Sequence, residues 1–374
     1  VLDNFVCIRV DVDQEKDLAK QYAASAMPDL RLLAPDGKEL RRLLGFSSPE
    51  RLLKECNQVL DVLAGRPVAE KKSTASGRSV AVNDTTIRAA IGRGCDFLER
   101  QPAPTAAPAE GIAGLGDASL LALVCGGRSD SEATRALASS VLATPLTSTY
   151  QVAFRAMALC RLDAKLHRAQ LEQCLAFLAK NQLADGSWSY GSDPSAAGDR
   201  SNSAYALLGI DACARAGLAI APDIVQRAER TWRELQNADG GWGYRRDREA
   251  ESYASMTESA LASLVLCRRM SGHTVPDDPI IERGRAWLAA HASVEQNTGS
   301  AYQQGRLLYH LYALERAASL LDVDRVGTLD WYQAGATMLL GSQHDDGSWD
   351  DGADMPAANT CFAILFLVRA TRQK

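Results

Sequence analysis

One punctuation recurs three times along this chain of 374 residues: Gln182-x-x-Asp185-Gly186-x-Trp188, Gln236-x-x-Asp239-Gly240-x-Trp242 and Gln343-x-x-Asp346-Gly347-x-Trp349. The first two copies start 54 residues apart and the third follows after 107, almost twice that spacing. A fixed period of this size marks stacked repeats, each too small to bury its own apolar face. A degenerate fourth unit is expected near residue 290, where Trp287-Leu288 closes a helical pattern before His291 but no Asp-Gly-x-Trp follows.

Each copy lies between two helices of different character. Before the second copy, Ile224, Ala228, Trp232 and Leu235 form one apolar face, with Arg227, Glu229, Arg230, Arg233 and Glu234 on the others. After each copy comes a helix that is apolar on nearly every side, at Tyr205, Ser255 and Thr360 onward, which predicts burial. Half-wet helices alternating with dry ones predict two concentric layers. Outer helices are expected to start near 83, 131, 168, 223, 279 and 329, and inner ones near 115, 149, 201, 253, 303 and 358. The fold class is therefore mostly α, an (α/α)6 toroid. Asp-Gly supplies a turn with positive φ at little steric cost. The glutamine amide is placed to serve carbonyls left open at the end of the outer helix, and the indole N–H seeks an acceptor. Gln182, Trp188, Gln236, Trp242, Gln343 and Trp349 accordingly read as structural.

Composition narrows the rest. At 46% hydrophobic and 23% charged the chain can build a large core. No apolar run reaches the roughly 20 residues that span a bilayer, although peripheral membrane contact stays open. A net charge of −5 without a basic patch argues against nucleic acid. The nine cysteines are odd in number, widely spaced and contain no C-x-x-C, so neither a disulfide framework nor a zinc ribbon is expected.

Three zones follow. Residues 1–65 alternate strand and helix patterns. A buried strand is expected over Phe5–Val10, with Cys7 packed inside, and a short helix over Asp17–Ala24. A hairpin runs from Asp29–Leu33 through Pro35–Lys38 to Glu39–Leu44, and Ser48 caps a last helix with Pro49 at its first position. Residues 66–84 read as a polar linker, and residues 85–374 as the toroid.

The stretch MPDLRLLAPDGKELRRLLGFSSPERLL resembles the C-terminal half of a thioredoxin-like domain, with Met27-Pro28 where that family has its cis-proline. That resemblance implies a fragment lacking the C-x-x-C half, and a chain that begins inside a domain. The Q-x-x-D-G-x-W punctuation is the QW motif. It makes residues 85–374 resemble the α/α toroid family of squalene and other class II terpene cyclases and prenyltransferase β-subunits.

The family resemblance implies a definite chemistry at definite positions. The cyclases protonate an alkene with an aspartic acid in D-x-D-D-T-A at the start of an inner helix. Asp199-Arg200-Ser201-Asn202-Ser203-Ala204 aligns with that motif, and the proton donor falls on Ser201 and its neighbour on Asn202. Neither is an acid, and Asp199 reads as a helix cap, so proton-driven cyclisation is not expected. Asp211-x-Cys213 has the spacing of the prenyltransferase zinc pair but sits late in its helix. Neither His310 nor His344 completes it, so no metal and no cofactor are expected.

Because all inner helices of a toroid run the same way, their N-termini converge on one mouth of a central funnel. Tyr150, Gln151, Ser201, Asn202, Tyr205, Tyr253, Thr257, Tyr302, Gln303, Asn359 and Thr360 fall there and are the pocket candidates. Converging helix N-termini also favour an anionic group. The expected function is binding of an apolar, isoprenoid-like or other lipid-like molecule in the funnel. The alternative is a non-catalytic scaffold for a protein partner, with the thioredoxin-like segment as its docking part. A third reading is a carbohydrate-active (α/α)6 enzyme drawing two carboxylates from Asp199, Glu258 and Asp354. Cytoplasm and periplasm fit the chain equally.

Overall fold

The computed structural model describes residues 5–11, 14–21, 29–44, 49–64, 81–102, 114–244, 251–273, 278–299, 306–351 and 355–371. The chain divides into two units, Val1–Thr74 and Ala75–Lys374.

The first unit holds α1 (Lys16–Gln21), β1 (Asp29–Leu33), β2 (Glu39–Leu44) and α2 (Pro49–Leu63). The two strands pair antiparallel, with Leu32 opposite Arg41. Gly37 turns the chain at φ 84°, and Ala34 N–H donates to Lys38 O at 2.8 Å. Leu32, Cys56 and Val59 form a small core against which Phe5, Leu40 and Leu52 pack. The expected strand over Phe5–Val10 does not form. Val6 is 90% and Ile8 81% exposed, and Cys7 is exposed as well. A strand needs a partner for its backbone groups, and among the described residues the hairpin strands pair only with each other. Met27-Pro28 and Ser48 lie outside the described residues.

The second unit is a closed double ring. Its inner helices are α4 (Leu115–Cys125), α6 (Thr149–Asp163), α8 (Arg200–Arg215), α10 (Ala254–Met270), α12 (Leu307–Leu320) and α14 (Pro356–Leu367). Each packs on the next, and α14 packs back on α4. The outer helices are α3 (Asp84–Glu99), α5 (Glu132–Ala143), α7 (Arg168–Lys180), α9 (Pro222–Glu234), α11 (Pro279–His291) and α13 (Trp331–Ser342). The inner helices are buried almost all round, as their apolar composition requires, while the outer ones bury one stripe. Start positions agree with the repeat-based expectation to within a few residues. The largest difference is α12, whose first residue is Leu307.

The three clasps share one geometry. The indole N–H of Trp188, Trp242 and Trp349 donates to Leu178 O, Trp232 O and Leu339 O at 2.7, 2.8 and 2.8 Å, back onto the outer helix just ended. The backbone N–H of each tryptophan donates to a hydroxyl of the following inner helix: Ser203, Thr257 and Thr360 at 3.0, 3.1 and 3.0 Å. The glutamines differ from expectation. Their amides serve not the helix they end but their own turn and the next outer helix. Gln182 Nε2 donates to Gly186 O and Ile224 O, and Gln236 Nε2 to Gly240 O and Ile280 O. The clasp glycines stand at φ 87°, 94° and 92°, and a Cβ there would press into a carbonyl of that next helix. Each clasp thus joins two outer helices and one inner helix.

The degenerate fourth corner uses other groups. Asn297 Nδ2 donates to Ser255 Oγ at 3.0 Å, and Ser255 N–H donates to Asn297 Oδ1 at 2.9 Å. Trp287 donates to Asp239 at 3.0 Å and stacks on His291 with centroids 4.0 Å apart.

Candidate functional site

Inner helices α6, α8 and α12 send aromatic side chains to the toroid's centre, where they stack into a column. Near the N-terminal mouth, Tyr190 is 56% exposed and its hydroxyl lies 3.1 Å from that of Tyr244. Tyr190 stacks on Tyr150 with centroids 6.1 Å apart, and Tyr150 meets Tyr205 at 4.4 Å. Phe154 closes on Tyr205 at 4.9 Å. Below them Arg316 Cζ lies 4.7 Å from the Tyr205 centroid and 4.6 Å from that of Tyr312. Arg316 is 1% exposed. A guanidinium keeps its charge in a protein, and the flanking rings hold it by cation–π attraction.

Ser201 joins this column by its hydroxyl. It hydrogen-bonds the Tyr150 hydroxyl and, at 2.6 Å, that of Tyr309. Burial and neighbouring phenols push the Tyr150 hydroxyl well above its ordinary pKa, so it is neutral at physiological pH. Burial likewise raises Tyr205, against the pull of Arg316. The position that aligns with a cyclase proton donor therefore brings together three hydroxyls, those of Ser201, Tyr150 and Tyr309.

Of the expected pocket residues, the structure brings together Tyr150, Ser201 and Tyr205. Asn202 turns to Asp199 instead, its Nδ2 donating to Oδ2 at 2.8 Å, while its backbone N–H donates to Oδ1 at 2.8 Å. Asp199 is thus the N-cap of α8. Gln151 holds the preceding loop, accepting from Thr147 N–H at 2.8 Å and donating to Pro145 O at 3.0 Å. Tyr253 is the N-cap residue of α10, and its backbone N–H donates to Trp242 O at 3.0 Å. Thr257 and Thr360 serve the clasps. Asn359 donates to Asp351 at 2.9 Å. Tyr302, Gln303 and Asp354 lie outside the described residues.

Glu258 is fully buried and 3.0 Å from His310 Nδ1, whose other nitrogen meets Ser293 O at 2.9 Å. Burial raises the Glu258 carboxyl, opposed by His310. A carboxylate committed this way, and Asp199 committed to its helix, do not face a water-filled cleft as glycoside hydrolysis needs. Asp211 and Cys213 also part company. Asp211 pairs with Arg215 at 3.0 Å and with Arg269, whereas Cys213 donates to Leu171 O at 3.5 Å. Among the described residues no group of histidine, cysteine and carboxylate side chains could hold a metal.

At the C-terminal mouth, Leu121, Met157, Leu208 and Tyr312 line a cavity of about 30 Å³ rimmed by Arg161, Arg215 and Arg269. That is room for water rather than for a lipid. Elsewhere, Asp117 and Arg155 form a buried ion pair at 2.7 Å between α4 and α6. Burial outweighs Arg155 and carries the Asp117 carboxyl up to about 6. Sequence reasoning missed Tyr309, Tyr312 and Arg316. The signal available was a charged residue in a helix otherwise apolar all round.

Comparison with known proteins agrees with the fold. Residues 140–314 match the family model of the squalene-hopene cyclase C-terminal domain. A variant of the type II terpene cyclase MstE from Scytonema, in its apo form, superposes with a TM-score of 0.50 at 13% identity, over 77% of this chain and 97% of that one. A second MstE variant, in complex with its substrate geranylgeranyl dihydroxybenzoate, gives 0.52 at 12% identity, over 77% and 98%. Identities this low speak for the fold alone. No curated protein matches the chain significantly. The toroid is a terpene cyclase-like domain, and among the described residues no helix is long and apolar enough to cross a membrane.

Proposed function

We propose that the toroid binds an isoprenoid-like apolar molecule at the tyrosine-lined mouth and does not cyclise it. The observation that carries this reading is the Ser201 hydroxyl, hydrogen-bonded to Tyr150 and Tyr309 within an aromatic column. Aromatic faces suit a polyene, and the hydroxyls can orient a polar end. Proton-initiated cyclisation needs an acid stronger than a phenol and a site that tolerates a growing carbocation. Arg316 opposes that second requirement, because a buried guanidinium repels developing positive charge. The MstE complex with geranylgeranyl dihydroxybenzoate supports an isoprenoid class of ligand.

The test uses trans,trans-farnesol as probe, with tyrosine and tryptophan fluorescence as readout, and squalene incubation followed by product chromatography. Saturable quenching without cyclised product is expected. Cyclised squalene, or no interaction with farnesol, overturns the reading.

A second reading keeps the toroid as a scaffold with residues 1–65 as a thioredoxin-like docking segment. The exposed Val6, Ile8 and Val10 favour it, since an extended apolar edge invites pairing. A chain that ignores farnesol yet loses a copurifying protein on Ile8→Lys would select this reading.

A further inference from the structure

The toroid's centre holds polar groups whose bonding is incomplete. Arg316 is 1% exposed, and neither Nη1 nor Nη2 has a hydrogen-bond acceptor. The fully buried Tyr205 hydroxyl lies beside the guanidinium and offers it a neutral oxygen, not an anion. Glu258 of α10 meets His310 through Oε2, and Glu315, beside Arg316 on α12, accepts from Thr371 and Ser319; both feel the guanidinium's charge without pairing with it. An enclosed cation without an anion is costly, and a fold keeps one where something compensates it. The guanidinium is therefore flanked by phenols, and among the described residues no carboxylate makes an ion pair with it.

The shape of this arrangement selects the acceptor. Both faces of the guanidinium are covered, by Tyr205 on one side and Tyr312 on the other. Only its edge remains for bonding. A planar pair of oxygens fits that edge in two parallel N–H···O bonds. A tetrahedral phosphate would drive its remaining oxygens against the ring faces, whose π clouds are negative.

We infer that Arg316 is the receptor for a carboxylate, and that the ligand of the tyrosine mouth is an isoprenoid-like acid rather than an alcohol or a hydrocarbon. This rests on the reading of the mouth as an apolar binding site. The carboxylate enters edge-on to Arg316, Tyr205 donates a third bond, and the chain lies along Tyr150 and Tyr190 toward solvent. No covalent step is involved.

The experiment compares farnesoic acid, its methyl ester and farnesol on the full chain at pH 7.5. The acid is expected to bind about tenfold more tightly than the other two, the worth of one charge-assisted bond pair. Arg316→Met is expected to abolish that preference, and Tyr205→Phe, which keeps the ring, to reduce it. Equal affinity for the three probes in the unmodified chain overturns the carboxylate inference and leaves the apolar mouth standing. Binding of none overturns both. An acid preference that survives in both variants removes Arg316 from the site. If Arg316→Met does not fold by circular dichroism, the acid-to-ester ratio of the unmodified chain and of Tyr205→Phe decides.

Discussion

The Gln343 amide donates to the Ala90 carbonyl at 2.9 Å, joining residues 253 positions apart in sequence. Together with the bond from Gln343 Nε2 to Gly347 O at 2.9 Å and that from Arg93 to Gln343 Oε1, it fastens the last outer helix to the first. Gln182 makes the same two amide donations at 3.0 Å, but its Oε1 has no partner. Gln343→Ala should therefore destabilise the toroid by about 1–3 kcal/mol in urea unfolding, and by more than Gln182→Ala. The reverse order would mean that closing the ring adds nothing to a clasp.

Asp117 and Arg155 carry a different dependence. Arg155 also donates to Thr144 O at 2.9 Å and Thr144 Oγ1 at 2.7 Å, so its loss would strand several groups. Asp117→Ala leaves a buried cation and should cost about 3–5 kcal/mol. Asp117→Leu combined with Arg155→Met should cost less than the two single replacements summed, the remaining loss falling on the stranded Thr144 groups. Thermal unfolding of the single and double variants gives the comparison, and additive losses would refute it.

Glu315 gives the fold a pH signature. Burial drives its carboxyl up to about 7 from 4.5, despite bonds from Thr371 N–H at 3.0 Å and Thr371 Oγ1 at 2.8 Å. The folded chain then holds this proton more tightly than the unfolded one. Its stabilising effect is complete below about 4.5 and declines as pH rises to about 7. Glu315→Gln should remove on the order of 3 kcal/mol of that decline, seen as a flatter unfolding free energy across the window. Parallel curves for the two proteins would contradict the assignment.

Restoring acids at the aligned motif should not restore catalysis. In Ser201→Asp with Asn202→Asp, the new carboxyl at 201 faces the Tyr150 and Tyr309 hydroxyls, while Arg316 still lies over Tyr205. No cyclised product is expected from squalene by chromatography. Its appearance would show that the buried cation is no obstacle.

The twelve helices of the toroid were legible because helix burial writes itself as periodicity. The face of Ile224, Ala228 and Trp232 is buried as its spacing implies. The clasp tryptophans were legible for a related reason, since turn chemistry is local. The glutamine partners were not, because Ile224 O, Ile280 O and Ala90 O belong to the next repeat. The centre was the least legible part. Arg316 is far in sequence from Tyr205, and no one-dimensional period reports which inner faces meet across a ring. Phe5–Val10 failed in the opposite way: its apolar, β-branched run is strand-like, but a strand is a property of two segments.

Ring closure carries a topological consequence. Tyr332 donates to Leu367 O at 2.8 Å, and α14 packs on α3, so the end of the toroid lies beside its beginning. The packing of α14 on α3 repeats that of α6 on α7 and of α10 on α11. By packing, no helix of the ring is set apart as the first. A circular permutant of residues 81–371, spliced end to end and opened before α7, should show the same helical spectrum and a similar urea midpoint.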